Sequence, residues 1–145
     1  MPTYSIVFQT LGTLILWFGW YGFNTGSVGV YVRGDQCEGA SRYIVARTAV
    51  CTTIAAAFGG LSVVVFDLAR NKKQISPQRM NNGILTGLVS ISGSCALVHP
   101  ALAVLIGIVA GIVYSLSSSL LLRRRIDDVV DAVPIHLFGG VWGLI

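Results

Sequence analysis

Met80 to Leu122 reads MNNGILTGLVSISGSCALVHPALAVLIGIVAGIVYSLSSSLLL, 43 residues without one Asp, Glu, Lys or Arg. A helix that crosses a bilayer needs about 20 predominantly apolar residues, so this stretch is long enough for two. His99-Pro100 near its middle marks the turn between them, because a proline disfavours helical geometry at the residue before it. The stretch therefore reads as a membrane hairpin of two helices.

The rest of the chain follows the same pattern. Residues 1–32, 48–66 and 132–145 also carry no Asp, Glu, Lys or Arg. Charged residues are 11% of the 145 and hydrophobic ones 54%, against about 25% charged in soluble domains. The 17 glycines suit helices that pack closely in lipid. The fold class expected is an all-α membrane protein of about five transmembrane helices. Their spans are expected at about 3–32, 43–69, 80–98, 101–122 and 128–145. The N-terminal segment has no basic n-region and no clear small-residue cleavage pattern, so it reads as a retained span. Only 14 uncharged residues follow Asp131, fewer than a full crossing requires, so the last span is expected to be incomplete within this sequence.

Loop charges set the expected orientation. Arg70, Lys72, Lys73 and Arg79 lie between the second and third segments, and Arg123, Arg124 and Arg125 follow the fourth. The opposite side has Arg33, Arg42 and Arg47, offset by Asp35 and Glu38. The positive-inside rule makes the side with seven basic residues cytoplasmic. Lys72 and Arg124 are then inside and Asp35 outside. A net charge of +4 built from loop cations speaks of membrane orientation and gives no reason to expect a nucleic-acid partner.

Glycines four residues apart occur at Gly22/Gly26, Gly83/Gly87, Gly107/Gly111 and Gly139/Gly143, and each pair would admit a close helix neighbour. Cys37, Cys51 and Cys95 form no pair at metal or redox spacing and read as small packing residues. No metal-ligand cluster, P-loop or Ser/His/Asp pattern is present, so neither enzyme chemistry nor a cofactor is expected.

The densest group of candidate functional residues is Trp17 to Ser27, WFGWYGFNTGS. Trp20, Phe23 and Ser27 are spaced i, i+3, i+7 and so share one helix face. Two aromatic rings attract a cation, and a hydroxyl accepts a hydrogen bond from an ammonium proton. An interfacial aromatic belt would have the same composition. His136 is the second candidate. A fifth helix beginning near Asp128 would place it about 12 Å along the axis, close to the midplane of a ~30 Å core. A titratable group there needs a pore, a cavity or a partner; helix packing is the plain alternative. Asp128 suits an N-cap, and the carboxylates of Asp127, Asp128 and Asp131 complement a helix N-terminus. His99, in a turn, is given no role.

Taken together, these residues resemble the ammonium transporter (Amt/Mep/Rh) family, in its Amt branch. Trp17–Ser27 is similar to that family's most recognisable signature. Arg47-Thr48-Ala49-Val50, Asn82 to Val89 (NGILTGLV), Gly93-Ser94-Cys95-Ala96, and Ile126 to His136 with Gly140-Val141-Trp142-Gly143 resemble its further motifs in order. The resemblance covers essentially the whole chain and implies the second inverted repeat of an eleven-helix fold. It also implies that Trp20 and Ser27 help form an outer ammonium site, and that Phe23 is one of two stacked gating phenyls. His136 would be one of two hydrogen-bonded pore histidines, with Asp131 supporting the fifth helix. The other histidine, the other phenyl and the recruitment-site aspartate belong to the first repeat, and the family has Pro or a small residue where Thr25 stands.

What the resemblance implies about function is transport of ammonium: recruitment of NH4+, deprotonation and conduction of ammonia through a histidine-lined pore. The expected partners are ammonium or ammonia, the lipid bilayer and further copies in a homotrimer, in the plasma membrane. Bare cations cost tens of kcal/mol to bury by Born estimates, whereas neutral ammonia does not, which separates ammonium from K+. An ammonium sensor and a non-conducting truncated paralogue are the rival expectations.

Overall fold

The computed structural model describes residues 5–28, 38–70 and 75–145. The described chain is helical: α1 is Ile6–Ser27, α2 Glu38–Ala69, α3 Pro77–Ile91 and α4 Pro100–Arg123, followed by a π-helical segment Val133–Phe138 that runs directly into α5, Gly139–Leu144. Among the described residues, three helical stretches are long and apolar enough to cross a membrane, Ile6–Ser27, Arg42–Ala69 and Pro100–Arg123. This is an all-α, multi-span membrane architecture. Residues 29–32 of the first expected span, together with Arg33, Asp35, Cys37, Lys72 and Lys73, lie outside the described residues.

The third segment departs from its expected form. Its helix starts at Pro77, with the Ser76 hydroxyl accepting the amide of Arg79, and stops at Ile91. Hydrogen-bonded turns then carry the chain through residues 92–97. Fifteen helical residues reach only ~22 Å, short of the ~30 Å hydrocarbon core. Arg79, counted above as a loop cation, belongs to the helix's first turn and pairs with Asp67 of α2 at 2.7 Å. The expected turn at His99-Pro100 is present: Pro100 opens α4, and the His99 imidazole accepts the amide of Ala101.

Helix α2 is the mast of the bundle, and small residues make that possible. A methyl group added to Gly87 or to Gly107 would run into the Ala55 carbonyl of α2, and one added to Gly83 would lie 2.8 Å from the Gly59 carbonyl. α3 and α4 therefore lie backbone to backbone against one seam of α2. Gly143 meets the Ser90 backbone of α3 in the same way, and Gly139 the Thr86 side-chain methyl. Gly22 and Gly26 do not follow: added methyl groups there would meet nothing within 4 Å. Most of α1 faces outward, with Phe8, Leu11, Leu14, Ile15 and Phe18 all at least half exposed. Cys51 and Cys95 are free and buried in one apolar cluster with Ala55, Ile91 and Ala103, in keeping with packing roles.

Candidate functional site: an aromatic mouth and a histidine-bearing cavity

Near the end of α1, the rings of Trp20 and Phe23 lie with centroids 5.9 Å apart and planes at 58°. Trp20 is held by an indole N–H that donates to the Ser92 hydroxyl over 2.8 Å, and Ser92 in turn donates to the Leu88 carbonyl at 2.8 Å. Phe23 is 64% exposed. Ser27, the last residue of α1, is exposed and donates to the Phe23 carbonyl at 2.7 Å. Its oxygen keeps lone pairs free, so the hydroxyl can still accept from a cation. On the adjoining face of α1, buried Asn24 donates to Thr52 of α2 at 2.9 Å and Tyr21 shares a 2.7 Å bond with Thr53. These two bonds fix the rotation of α1, and with it the face that carries the rings.

His136 lines a cavity of about 410 Å³ with Val89, Gly93, Leu137, Gly140, Val141, Gly143 and Leu144. Among the described residues lining it, the imidazole is the only ionisable side chain. Gly93 follows Ser92, the residue that holds Trp20, so the turn after α3 links the aromatic mouth to the cavity. The structure thus brings Trp20 and Phe23 together and places Ser27 one turn on. It puts His136 on a separate element.

The placement of His136 differs from the helix arithmetic above. The π segment begins at Val133, not at Asp128, so His136 lies only a few residues into its helix. It is also exposed on the surface of the chain. The cause is local. Asp131 takes a left-handed backbone, φ 55°, which breaks any helix running from Asp128; Asp tolerates this geometry better than most residues. Beyond the break the Gly139 amide reaches back to the Pro134 carbonyl, five residues earlier. Such π turns occur often at functional positions.

Both expected support residues are engaged. The carboxylate of Asp128 accepts the amides of Ala132 at 2.9 Å and Val133 at 2.8 Å. Pro134 has no N–H, and Ile135 donates to the Asp131 carbonyl at 3.1 Å. The amides of Ala132, Val133 and Ile135 are thereby satisfied, and Asp128 caps from four residues away. The Asp131 carboxylate accepts from Tyr114 at 2.8 Å, Asn82 at 3.1 Å and Ser118 at 3.1 Å. Ser92, Tyr114 and Asp67 were not singled out from the sequence, Asn24 and Asn82 only as members of motifs, and Arg79 only as a loop cation. Polar side chains inside apolar segments were the signal available for finding them. Among the described residues no group of three or more His, Cys, Asp or Glu is placed to hold a metal.

Helices that pack on bare backbone, with an outward apolar surface and few internal charges, define a multi-span integral membrane protein. The sequence pattern of the Ammonium Transporter Family matches residues 1–145, and the chain belongs to that family. It is 39% identical to an ammonium transporter of Archaeoglobus fulgidus, over 100% of this chain and 29% of that protein. Against ammonium transporter 3 of Dictyostelium discoideum the identity is 40%, over 100% of this chain and 32% of the other. The crystal structure of Mep2 from Saccharomyces cerevisiae superposes with a TM-score of 0.83 at 35% identity, covering 96% of this chain and 30% of that one. A solved sensor Amt protein gives 0.80 at 37%, covering 92% and 31%. The chain thus spans about a third of the length of these relatives.

Proposed function

We propose that this chain forms one half of an ammonium pathway: recruitment of NH4+ at the Trp20–Phe23–Ser27 mouth, loss of a proton, and passage of neutral ammonia along the wall that carries His136. One observation carries the reading, the Trp20 indole tied through Ser92 to the rim of an apolar cavity with a single imidazole. Each part has a physical reason. Aromatic faces and a hydroxyl can replace part of an ammonium ion's hydration. Apolar lining such as Val89, Leu137 and Val141 repels a bare cation far more than ammonia. A neutral imidazole offers one donor and one acceptor without fixed charge.

The finer reading completes this half. α1 to α5 correspond to five spans of the second inverted repeat in an eleven-helix fold, with the bilayer around it, homotrimer assembly and a plasma-membrane location. The exposed side of His136 then faces the other repeat and its histidine. A second reading, an ammonium sensor that signals through a partner, is favoured by the likeness to the solved sensor Amt protein.

The test is methylammonium uptake in cells lacking their own ammonium transporters, with this chain joined to a first five-helix repeat. Saturable uptake that falls in Trp20→Leu and His136→Ala supports the pathway. Uptake that is unchanged in both variants refutes it. Partner-dependent signalling without uptake selects the sensor.

A further inference from the structure

We infer that Tyr114 is a positioning residue for His136: its hydroxyl, with the Asn82 amide and the Ser118 hydroxyl, clamps Asp131 at the backbone break that sets where the His136-bearing helix begins.

Tyr114 is on α4, wholly buried; it packs with Val63 and Ile135 in one apolar cluster, against which Val89 of the cavity wall also rests. Its hydroxyl donates to Asp131 at 2.8 Å while accepting from Asn82 at 3.1 Å. Asn82 also donates to the same Asp131 oxygen at 3.1 Å, which closes a three-membered ring of bonds among α3, α4 and the helix entry. Ser118, one turn along α4, takes the other carboxylate oxygen at 3.1 Å. The tyrosine is held in turn: the Arg79 guanidinium lies 5.4 Å from the centre of its ring, and Arg79 makes two bonds to Asp67, at 2.7 and 3.3 Å.

Asp131 needs such a grip. A left-handed backbone at a residue other than glycine is a sparsely populated state that persists only when its surroundings over-determine it. Pro134 lacks an N–H and the π turn is wider than an α turn, so the entry to this segment is set by its contacts: the clamp at Asp131, and the packing of Ile135 with Val63 and Tyr114. Moving the break by one residue would rotate every side chain beyond it by about 100°, and His136 would leave the cavity wall.

This inference rests on the pathway reading only for its functional meaning, so its test is made on the chain itself. The full 145-residue chain is placed in phospholipid nanodiscs with 15N-labelled histidine; the sequence has two histidines, and His99 is the internal reference. Tyr114→Phe keeps the ring under Arg79 and deletes the hydroxyl. It should shift the His136 imidazole signals and speed amide exchange at His136 by about tenfold or more, with His99 unmoved. Tyr21→Phe deletes a similarly bonded hydroxyl elsewhere and should move neither. If Tyr114→Phe does not fold, Asp131→Asn decides. It keeps shape and tolerance of the left-handed backbone but exchanges an acceptor oxygen for a donor, and it must move the same signals. Unchanged His136 signals and exchange in a folded Tyr114→Phe, or in Asp131→Asn, overturn the inference whatever uptake shows. Unchanged uptake in His136 variants would instead refute the pathway and leave the clamp standing.

Discussion

Trp20 and Ser92, 72 residues apart in sequence, are joined by a 2.8 Å hydrogen bond in which the indole donates. The serine passes the constraint on, because its own proton is committed to the Leu88 carbonyl. The ring of Trp20 is therefore referenced to the end of α3 as well as to its own helix.

Removing that reference should affect recruitment before conduction. Ser92→Ala leaves the indole without its partner, at about 1–2 kcal/mol, and frees the ring to leave Phe23. The expected result is a several-fold rise in the methylammonium concentration for half-maximal uptake with the maximal rate kept, and Ser92→Thr should restore it. An equal fall of both quantities would mean the bond is only part of the packing.

The glycine seam gives a second contrast. Gly107→Ala would put a methyl group 2.6 Å from the Ala55 carbonyl, and overpacking of this kind costs about 1–3 kcal/mol. Gly22→Ala meets nothing in the chain and should be neutral or slightly stabilising, since glycine is about 0.5–1 kcal/mol worse than alanine within a helix. Denaturation of the two purified variants in mixed micelles measures the difference.

The Asp67–Arg79 pair, with side chains 6% and 18% exposed, should behave as a buried one. Asp67→Asn or Arg79→Gln alone breaks the pair and should destabilise by about 3–5 kcal/mol. The double replacement should cost clearly less than the two single costs added, and a double-mutant cycle on unfolding reads this out.

For His136, the sharper substitution is a carboxylate. His136→Glu, in a chain completed with a first repeat, places a group able to hold a bare cation in the apolar wall. Discrimination between ammonium and K+ should fall, measured as inhibition of methylammonium uptake by K+. His136→Glu with unchanged uptake and unchanged K+ sensitivity would make the residue packing.

How much of this was legible in the sequence depended on whether the signal was local. The absence of charge across 80–122 announced helices in lipid, and the spacing of Trp20, Phe23 and Ser27 announced a shared face, because both follow from the geometry of one helix. The early end of α3 at Ile91 was not legible, since residues 92–98 stay as apolar as the helix before them. The late start at Val133 was hidden for a related reason. Asp128 is a good capping residue, but its carboxylate serves amides four and five residues on, across a left-handed Asp131 that no spacing rule marks. Tyr114 and Asn82 looked like ordinary members of an apolar run until three elements met around one carboxylate.

The short α3 has a consequence for how the chain enters a bilayer. Fifteen residues that include Arg79, Asn81 and Asn82 form a poor candidate for partitioning alone, since a spanning helix needs about 20 predominantly apolar residues. Its polar groups have ready receivers on other helices: Asp67 for Arg79, Thr10 for Asn81 and Tyr114 for Asn82. Biogenesis should therefore be sequential, with α2 lodged first and α3 drawn in beside it as the second arm of a hairpin. An α3 synthesised without α2 would stay at the membrane surface.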